Sequence, residues 1–179
     1  MSKKIVVLSG SPRKEGNTEK LAAAFIEGAK EAGKNVVVFR TADMKISGCR
    51  GCEHCFKEKG VCVQKDDMQA VLEALKTADT LVLVSPVYYF DMTAQLKLAI
   101  DRTYALVSVE VPIKKAALLM TCGDNTEKAA EGAVVAYKNI LAYSKWENAG
   151  VIIATGLHKP GEIEGRPELD KAKALGREI

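Results

Sequence analysis

The sequence predicts a doubly wound α/β domain built on a five-stranded parallel sheet. Three observations carry this expectation. Five short runs rich in branched apolar residues recur along the chain. None alternates cleanly between apolar and polar, as a strand with one wet face would. Stretches with helical spacing lie between them, so strands and helices take turns.

The first run, "KIVVLSG" at 4–10, reads as a strand ending in a loop. Residues 17–33 follow with Leu21, Phe25, Ala29 and Ala32 at helical spacing, and Gly33 is a suitable stop. "NVVVFR" at 35–40 is the second strand. Residues 66–77 open with two aspartates and then repeat apolar residues at steps of three and four, which predicts a helix. The third strand is "TLVLVSP" at 80–86, followed by a helix within 92–104. "KAALLMTC" at 115–122 and a helix within 126–146 come next. "AGVIIATG" at 149–156 is the fifth strand, and a last helix runs over 167–177 behind Pro167. Crossovers in such a fold are right-handed, and ligands sit beyond the C-terminal ends of the strands. Two stretches exceed ordinary connections: 41–65, which holds most of the cysteines, and 156–167, which carries Gly, Pro and charge.

The length of 179 residues suits one domain over 1–179. Apolar residues make up 47% and charged residues 27%, enough for a core and a soluble surface. A net charge of +3 does not point to nucleic acid or to an anionic membrane as a partner. The opening "MSKKIVVLSG" is too short an apolar run for a signal-peptide core or a membrane span. The expectation is a cytoplasmic protein. Five cysteines, four of them clustered, argue against a disulfide framework in that setting.

"LSGSPRKEGNTEKL" joins the first strand to the first helix. Ser9, Ser11, Asn17 and Thr18 supply short hydrogen-bonding side chains. Gly10 and Gly16 permit close backbone approach, and Arg13 offers a fork suited to phosphate. The helix N-terminus adds free N–H groups and the positive dipole end. Together they form a phosphate cradle. A Walker loop does not fit, because Asn17 stands where Lys is needed; a dinucleotide fingerprint does not fit, because Pro12 replaces its second glycine. A turn that merely caps the helix is the simpler alternative.

"SPVYYFDMTAQLKLAIDR", 85–102, follows the third strand. With strand order 2-1-3-4-5, the loops after strands one and three flank a single crevice. Pro86, Val87, Tyr88, Tyr89 and Phe90 form a rigid, aromatic bed for a flat ring. Packing of these aromatics in the core or at an oligomer interface is the alternative. A phosphate cradle beside such a bed suggests FMN. "TCGD" at 121–124 could close over the ring, while Cys122 reads as a small apolar residue.

The stretches "SGSPRKEGNT" at 9–18 and 85–102 resemble the NADPH-dependent FMN reductase family of flavodoxin-like proteins. "ISGCRGCEHCFKEKGVCVQKDDM" at 46–68 is similar to its iron–sulfur flavoprotein branch. The resemblance implies that Ser9, Ser11, Arg13, Asn17 and Thr18 bind the FMN phosphate. It implies that Pro86 to Phe90 contact the isoalloxazine and ribityl portions, and that Thr121 to Asp124, including Gly123, border the far side of the ring. It also implies NADH or NADPH as electron donor and a quinone, flavin or other small acceptor. A homodimer or homotetramer would be the assembly. The flavin carries the chemistry, so no catalytic acid or base is named.

The cysteine loop, within 46–65, reads Cys49-x2-Cys52-x2-Cys55-x6-Cys62. Four thiolates from one segment can hold a [4Fe–4S] cluster. The gap of six before Cys62 would let all four ligate one cluster, and it matches the pattern of the iron–sulfur flavoproteins. Zinc sites more often use two spaced pairs. His54 has no partner His in the loop, and free thiols are the remaining reading. The rival functions are an iron–sulfur flavoprotein electron carrier docking to redox partners and a thiol sensor.

Overall fold

The computed structural model describes residues 2–179. Five strands, β1 (Lys4–Ser9), β2 (Asn35–Arg40), β3 (Thr80–Pro86), β4 (Lys115–Thr121) and β5 (Glu147–Ala154), pair in parallel in the order β2-β1-β3-β4-β5. The helices are α1 (Asn17–Glu31), α2 (His54–Lys57), α3 (Met68–Leu75), α4 (Ala94–Arg102), α5 (Glu131–Ser144) and α6 (Pro167–Glu178). The fold is flavodoxin-like, as the alternation of strands and helices predicts. No helix of the described residues is long and apolar enough to cross a membrane.

Side chains of a strand alternate between faces, so each run fills two cores. Val6, Leu8, Leu81, Leu83, Leu118 and Met120 pack with α3, α4 and α5. Ile5, Val7, Val82, Val84, Ala117 and Leu119 pack with α1 and α6. The three central strands are buried almost throughout. The edge strands β2 and β5 are half-exposed despite equally apolar sequences, because each lacks one neighbour. Strand β5 also begins two residues earlier than its apolar run. A register shift between Ala116 and Ala117 absorbs an extra residue before Gly150, whose N–H donates to Asn148 Oδ1 at 3.2 Å.

Helices α1 and α6 cross closely. A Cβ on Gly28 would overlap the Lys173 carbonyl, and one on Gly176 would overlap the Phe25 carbonyl. Lys173 pairs with Glu27 and Glu31, both at 2.8 Å. The last helix therefore holds the body of α1, whose N-terminus opens on the ligand edge of the sheet.

Candidate functional site

Strand β1 delivers Ser9, Gly10 and Ser11 to that edge. Gly10 N donates to Val84 O at 2.8 Å. Thr93 Oγ1 donates to Gly10 O at 2.9 Å and accepts from Leu96 N at 3.4 Å as the N-cap of α4. One hydroxyl thus fixes the loop after β1 against the helix after β3. Helix α1 has no such cap. Its N-cap is Gly16, which has no side chain to offer its first amides. Those amides border a crevice of about 200 Å³ lined by Ser11, Arg13, Thr18, Tyr88, Thr121 and His158, among others. Thr18 Oγ1 and Thr121 Oγ1 lie 2.6 Å apart and close its floor.

The predicted phosphate residues take different posts. Ser11, Arg13, Asn17 and Thr18 line the crevice. Ser11 Oγ accepts the Arg13 N–H at 3.3 Å, which shapes the turn. The amide of Asn17 is engaged elsewhere. Its Nδ2 donates to Lys159 O at 2.8 Å, and its Oδ1 accepts from Gly161 N at 3.0 Å. Asn17 thereby pins the loop after β5 as a further wall. Ser9 is not in the lining. It is fully buried and donates to Glu19, which also pairs with Arg40. That network braces the loop from behind.

Of the predicted ring bed, Pro86, Val87 and Tyr88 line the crevice. Val87 N donates to Thr121 O at 2.8 Å, which draws the two loops together. Tyr89 and Phe90 do not line it. Tyr88 and Asp91 exchange hydrogen bonds across a two-residue turn. Tyr89 and Phe90 are its corners, at φ 49° and 70°. Tyr89 is 97% exposed and Phe90 63%, with rings edge-on at 5.8 Å. Left-handed backbone costs a bulky L-residue roughly 1–2 kcal/mol, so this tip is held by its flanks rather than by preference.

Thr121 and Gly123 line the far side, with Cys122 between them. Burial is the main cause that pushes the Cys122 thiol up, followed by Asp124, which keeps it a protonated packing group. Asp124 is exposed and accepts from Thr126 N at 3.1 Å, outside the lining. The sequence reading missed Leu157 and His158. A Cβ on Gly123 would stand 2.9 Å from His158 Nδ1, so the imidazole lies over that glycine. The unusual length of 156–167 was the available signal.

The residues present fit FMN. An uncapped helix N-terminus, three hydroxyls and a guanidinium surround a crevice bordered by flat backbone. A larger groove of about 880 Å³, floored by Leu75, Leu81 and Leu83, lies under α4 and α5. Core side chains form its floor, the exposed Tyr104, Val107 and Tyr143 stand along its walls, and it has no comparable set of phosphate-binding groups.

The cysteine loop is an excursion with a tied neck. Lys45 N donates to Asp67 Oδ2 at 2.7 Å and Ser47 N to Asp66 Oδ2 at 3.0 Å. Gln64 Nε2 donates to Gly48 O at 3.1 Å. Farther out, Ser108 Oγ donates to Cys55 O at 2.8 Å and Gln69 Nε2 to Cys62 O at 3.0 Å. Cys55 and Cys62 lean on the core, whereas Cys49 and Cys52 stand exposed. Burial pushes the Cys55 thiol up first, with Cys62, Cys49 and Cys52 adding to it. The expected convergence of four ligands is not seen. Among the described residues no three His, Cys, Asp or Glu side chains are placed to hold a metal. Gly51 at φ 61° and Glu53 at φ 55° put left-handed backbone on either side of Cys52. Four thiols are the donors an iron–sulfur cluster takes, but the described side chains are not gathered around one point to hold it.

An iron–sulfur flavoprotein of Archaeoglobus fulgidus is 34% identical over 181 residues, covering 98% of this chain and 78% of that protein. One from Methanocaldococcus jannaschii is 40% identical over 103 residues, 58% of this chain. That alignment spans about half of the relative, 53%. The solved NAD(P)H:quinone oxidoreductase of Methanothermobacter marburgensis superposes with a TM-score of 0.75 at 24% identity, covering 99% of this chain and 96% of that one, and shares the fold. The family model for NADPH-dependent FMN reductase matches residues 3–154, which hold all five strands and both crevice loops. The chain belongs to the NADPH-dependent FMN reductase family.

Proposed function

We propose that this protein is an FMN-dependent oxidoreductase that takes electrons from NADH or NADPH and passes them to a quinone, a flavin or another small acceptor. The observation that carries the reading is the crevice itself. The uncapped start of α1 and the flat run Pro86–Tyr88 meet there, next to Thr121. When bound, FMN supplies hydride acceptance and electron release.

The chain's own residues bind and orient. Ser11 and Thr18, with the first amides of α1, receive the phosphate, and Arg13 faces it from the solvent side. The Val87–Thr121 hydrogen bond sets the spacing of the two loops that flank the ring. Leu157 and His158 wall off water. Relatives named iron–sulfur flavoproteins and a solved NAD(P)H:quinone oxidoreductase support this reading. The Tyr89–Phe90 tip leaves two aromatic rings in water, which supports assembly into a homodimer or homotetramer. Light scattering of the FMN-loaded protein tests that assembly.

The functional test is FMN titration by fluorescence quenching, then initial rates with NADH or NADPH and a quinone. One crevice serving donor and acceptor predicts parallel double-reciprocal lines. Intersecting lines overturn the shared site, and a chain that takes up no FMN overturns the function.

A second reading is an electron carrier that docks to a protein redox partner. Its support is the set Cys49, Cys52, Cys55 and Cys62 together with the names of the relatives. These four thiolates would hold a [4Fe–4S] cluster, which supplies one-electron exchange. Cluster uptake with negligible turnover of nicotinamide would favour it.

A further inference from the structure

The groove of about 880 Å³ under α4 and α5 shares no lining residue with the FMN crevice. Most of its lining is aliphatic or aromatic. Its floor reaches Leu75, Leu81 and Leu83, which belong to the buried core. Tyr104, Tyr143 and Trp146 stand along it. Small-molecule sites are concave and mostly apolar, with volumes of roughly 300–1,000 Å³ and a few polar groups that set orientation. The groove meets this description in volume and lining, so its polar groups decide what it would take.

Two cations stand at the starts of neighbouring strands. Lys114 immediately precedes β4, and Lys145 precedes β5 by two residues. Glu147 N donates to Lys114 O at 2.8 Å, which brings the two strand starts side by side. Both lysines are exposed and both line the groove. Among the described residues neither ammonium pairs with a carboxylate. Of the two acids in the lining, Asp101 is neutralised by Lys97 at 2.7 Å, which leaves Glu110 alone against two lysines. The wall at the end of α4 is fixed in advance. Arg102, between the lining residues Asp101 and Thr103, is buried and donates from Nη1 to Ser47 O and to Asp66 Oδ2, both at 2.8 Å. That ties α4 to the neck of the cysteine loop, whose Cys49 is also in the lining.

We propose that this groove is a second ligand site, and that it takes a long-chain carboxylate. The hydrocarbon lies on the leucine floor between the aromatic walls, and the carboxylate meets the ammonium groups of Lys114 and Lys145. Charge and depth select this occupant. A neutral hydrophobe leaves both cations unused. A second copy of the chain covers the exposed walls Tyr104, Val107 and Tyr143, but it must also lower an apolar ridge onto a floor made of core side chains. A single flexible chain reaches that floor and leaves its charged end in water. The site is separate from the FMN crevice, so it stands or falls independently of the function proposed above.

The test uses the full chain, and Trp146 is its built-in reporter, since it lines the groove and the chain has no other tryptophan. Its emission is titrated with octanoate, decanoate and dodecanoate below their micelle concentrations, and with decanol as the uncharged control. A saturable change is expected, and affinity should rise roughly twofold to fourfold for each added methylene. Decanoate should bind more tightly than decanol. The double variant Lys114→Ala, Lys145→Ala should weaken decanoate roughly threefold at low salt, less at high salt, and leave decanol unchanged. Val107→Glu places a carboxylate on an exposed wall and should weaken decanoate at least tenfold. Decanoate should also slow alkylation of Cys49 by iodoacetamide but not that of Cys52, which is outside the lining. The substituted side chains are exposed, and circular dichroism confirms that each variant folds. No saturable change with any of the three carboxylates overturns the proposal. Equal affinity for decanoate and decanol, with no effect of the lysine changes, overturns it too. Absence of binding together with a Val107→Glu chain that falls to monomers in light scattering makes the groove an interface between copies and overturns it as well. FMN affinity is measured in parallel, so a failure there is read separately.

Discussion

Gly10→Ala is the sharpest probe of how the crevice is held. The added methyl would run into Thr93 Oγ1 and stand 2.6 Å from Leu96 Cβ. Neither can withdraw cheaply. Thr93 is fully buried and caps α4, and Leu96 is fully buried in the core. Overpacking of this kind costs about 1–3 kcal/mol. Losing the cap costs roughly 1 kcal/mol more. The sum is about 2–4 kcal/mol. At roughly 2–4 °C per kcal/mol for a domain of this size, the melting temperature should fall by about 4–16 °C. FMN affinity should fall as well, because α4 and the loop after β1 must part. Gly33→Ala is the control. Gly33 sits at φ 73° with nothing within 4 Å, so only backbone strain of roughly 1 kcal/mol applies and the crevice is untouched. Urea unfolding and FMN titration of both variants decide the question. A Gly10→Ala protein within about 0.5 kcal/mol of wild type and with unchanged FMN affinity would refute the reasoning.

Three further outcomes are expected. Gly28→Ala must force α1 from α6 at the Lys173 carbonyl, and calorimetry should show destabilisation of about 1–3 kcal/mol by overpacking. Arg13→Ala removes the cationic fork at the crevice mouth, and the FMN dissociation constant should rise at least tenfold at low salt and less at high salt. Tyr137 is fully buried and donates to Ala116 O at 2.7 Å, and burial pushes its phenol well above the ordinary range. Its folded pKa is raised, so its contribution is complete below the unfolded pKa of about 10 and is lost as pH rises beyond it. Chemical denaturation from pH 8 to 11 should show that alkaline loss in wild type and a smaller one in Tyr137→Phe.

Strands were the most legible elements, because branched apolar runs have few other uses at such lengths. Their edges were less so. The start of β5 depends on a bulge opposite Ala116 and Ala117, a property of the pair and not of either strand. The helix expected within 92–104 stops at Arg102 and passes into a 3-10 segment, Thr103–Ser108, and the one expected within 126–146 opens with another, Glu127–Ala130. Much of the crevice could be read from Ser11, Arg13, Thr18 and Pro86–Tyr88, since they sit next to strand ends. Ser9 was misdirected because a serine's sequence does not reveal which partner it finds; its hydroxyl is taken by Glu19 in the first turn of α1. Tyr89 and Phe90 adopt positive φ, which no aromatic pair advertises. His158 arrives through a tertiary wall, and Arg102 is tied to residues more than thirty positions away. Neither contact has a local pattern.

Helix α4 has nine residues, and at about 1.5 Å per residue it spans roughly 13 Å. Its first turn is fastened to the loop after β1 through Thr93, and its last residue is fastened to the neck of the cysteine loop through Arg102. The helix therefore acts as a gauge block between the two. Adding or removing one residue would rotate Arg102 by roughly 100° relative to Thr93 and aim it away from Asp66. Insertions can lengthen the cysteine excursion or the Tyr89–Phe90 tip without disturbing this spacing. The same insertion within α4 would misalign both sites at once, so its length is the dimension of this architecture least free to change.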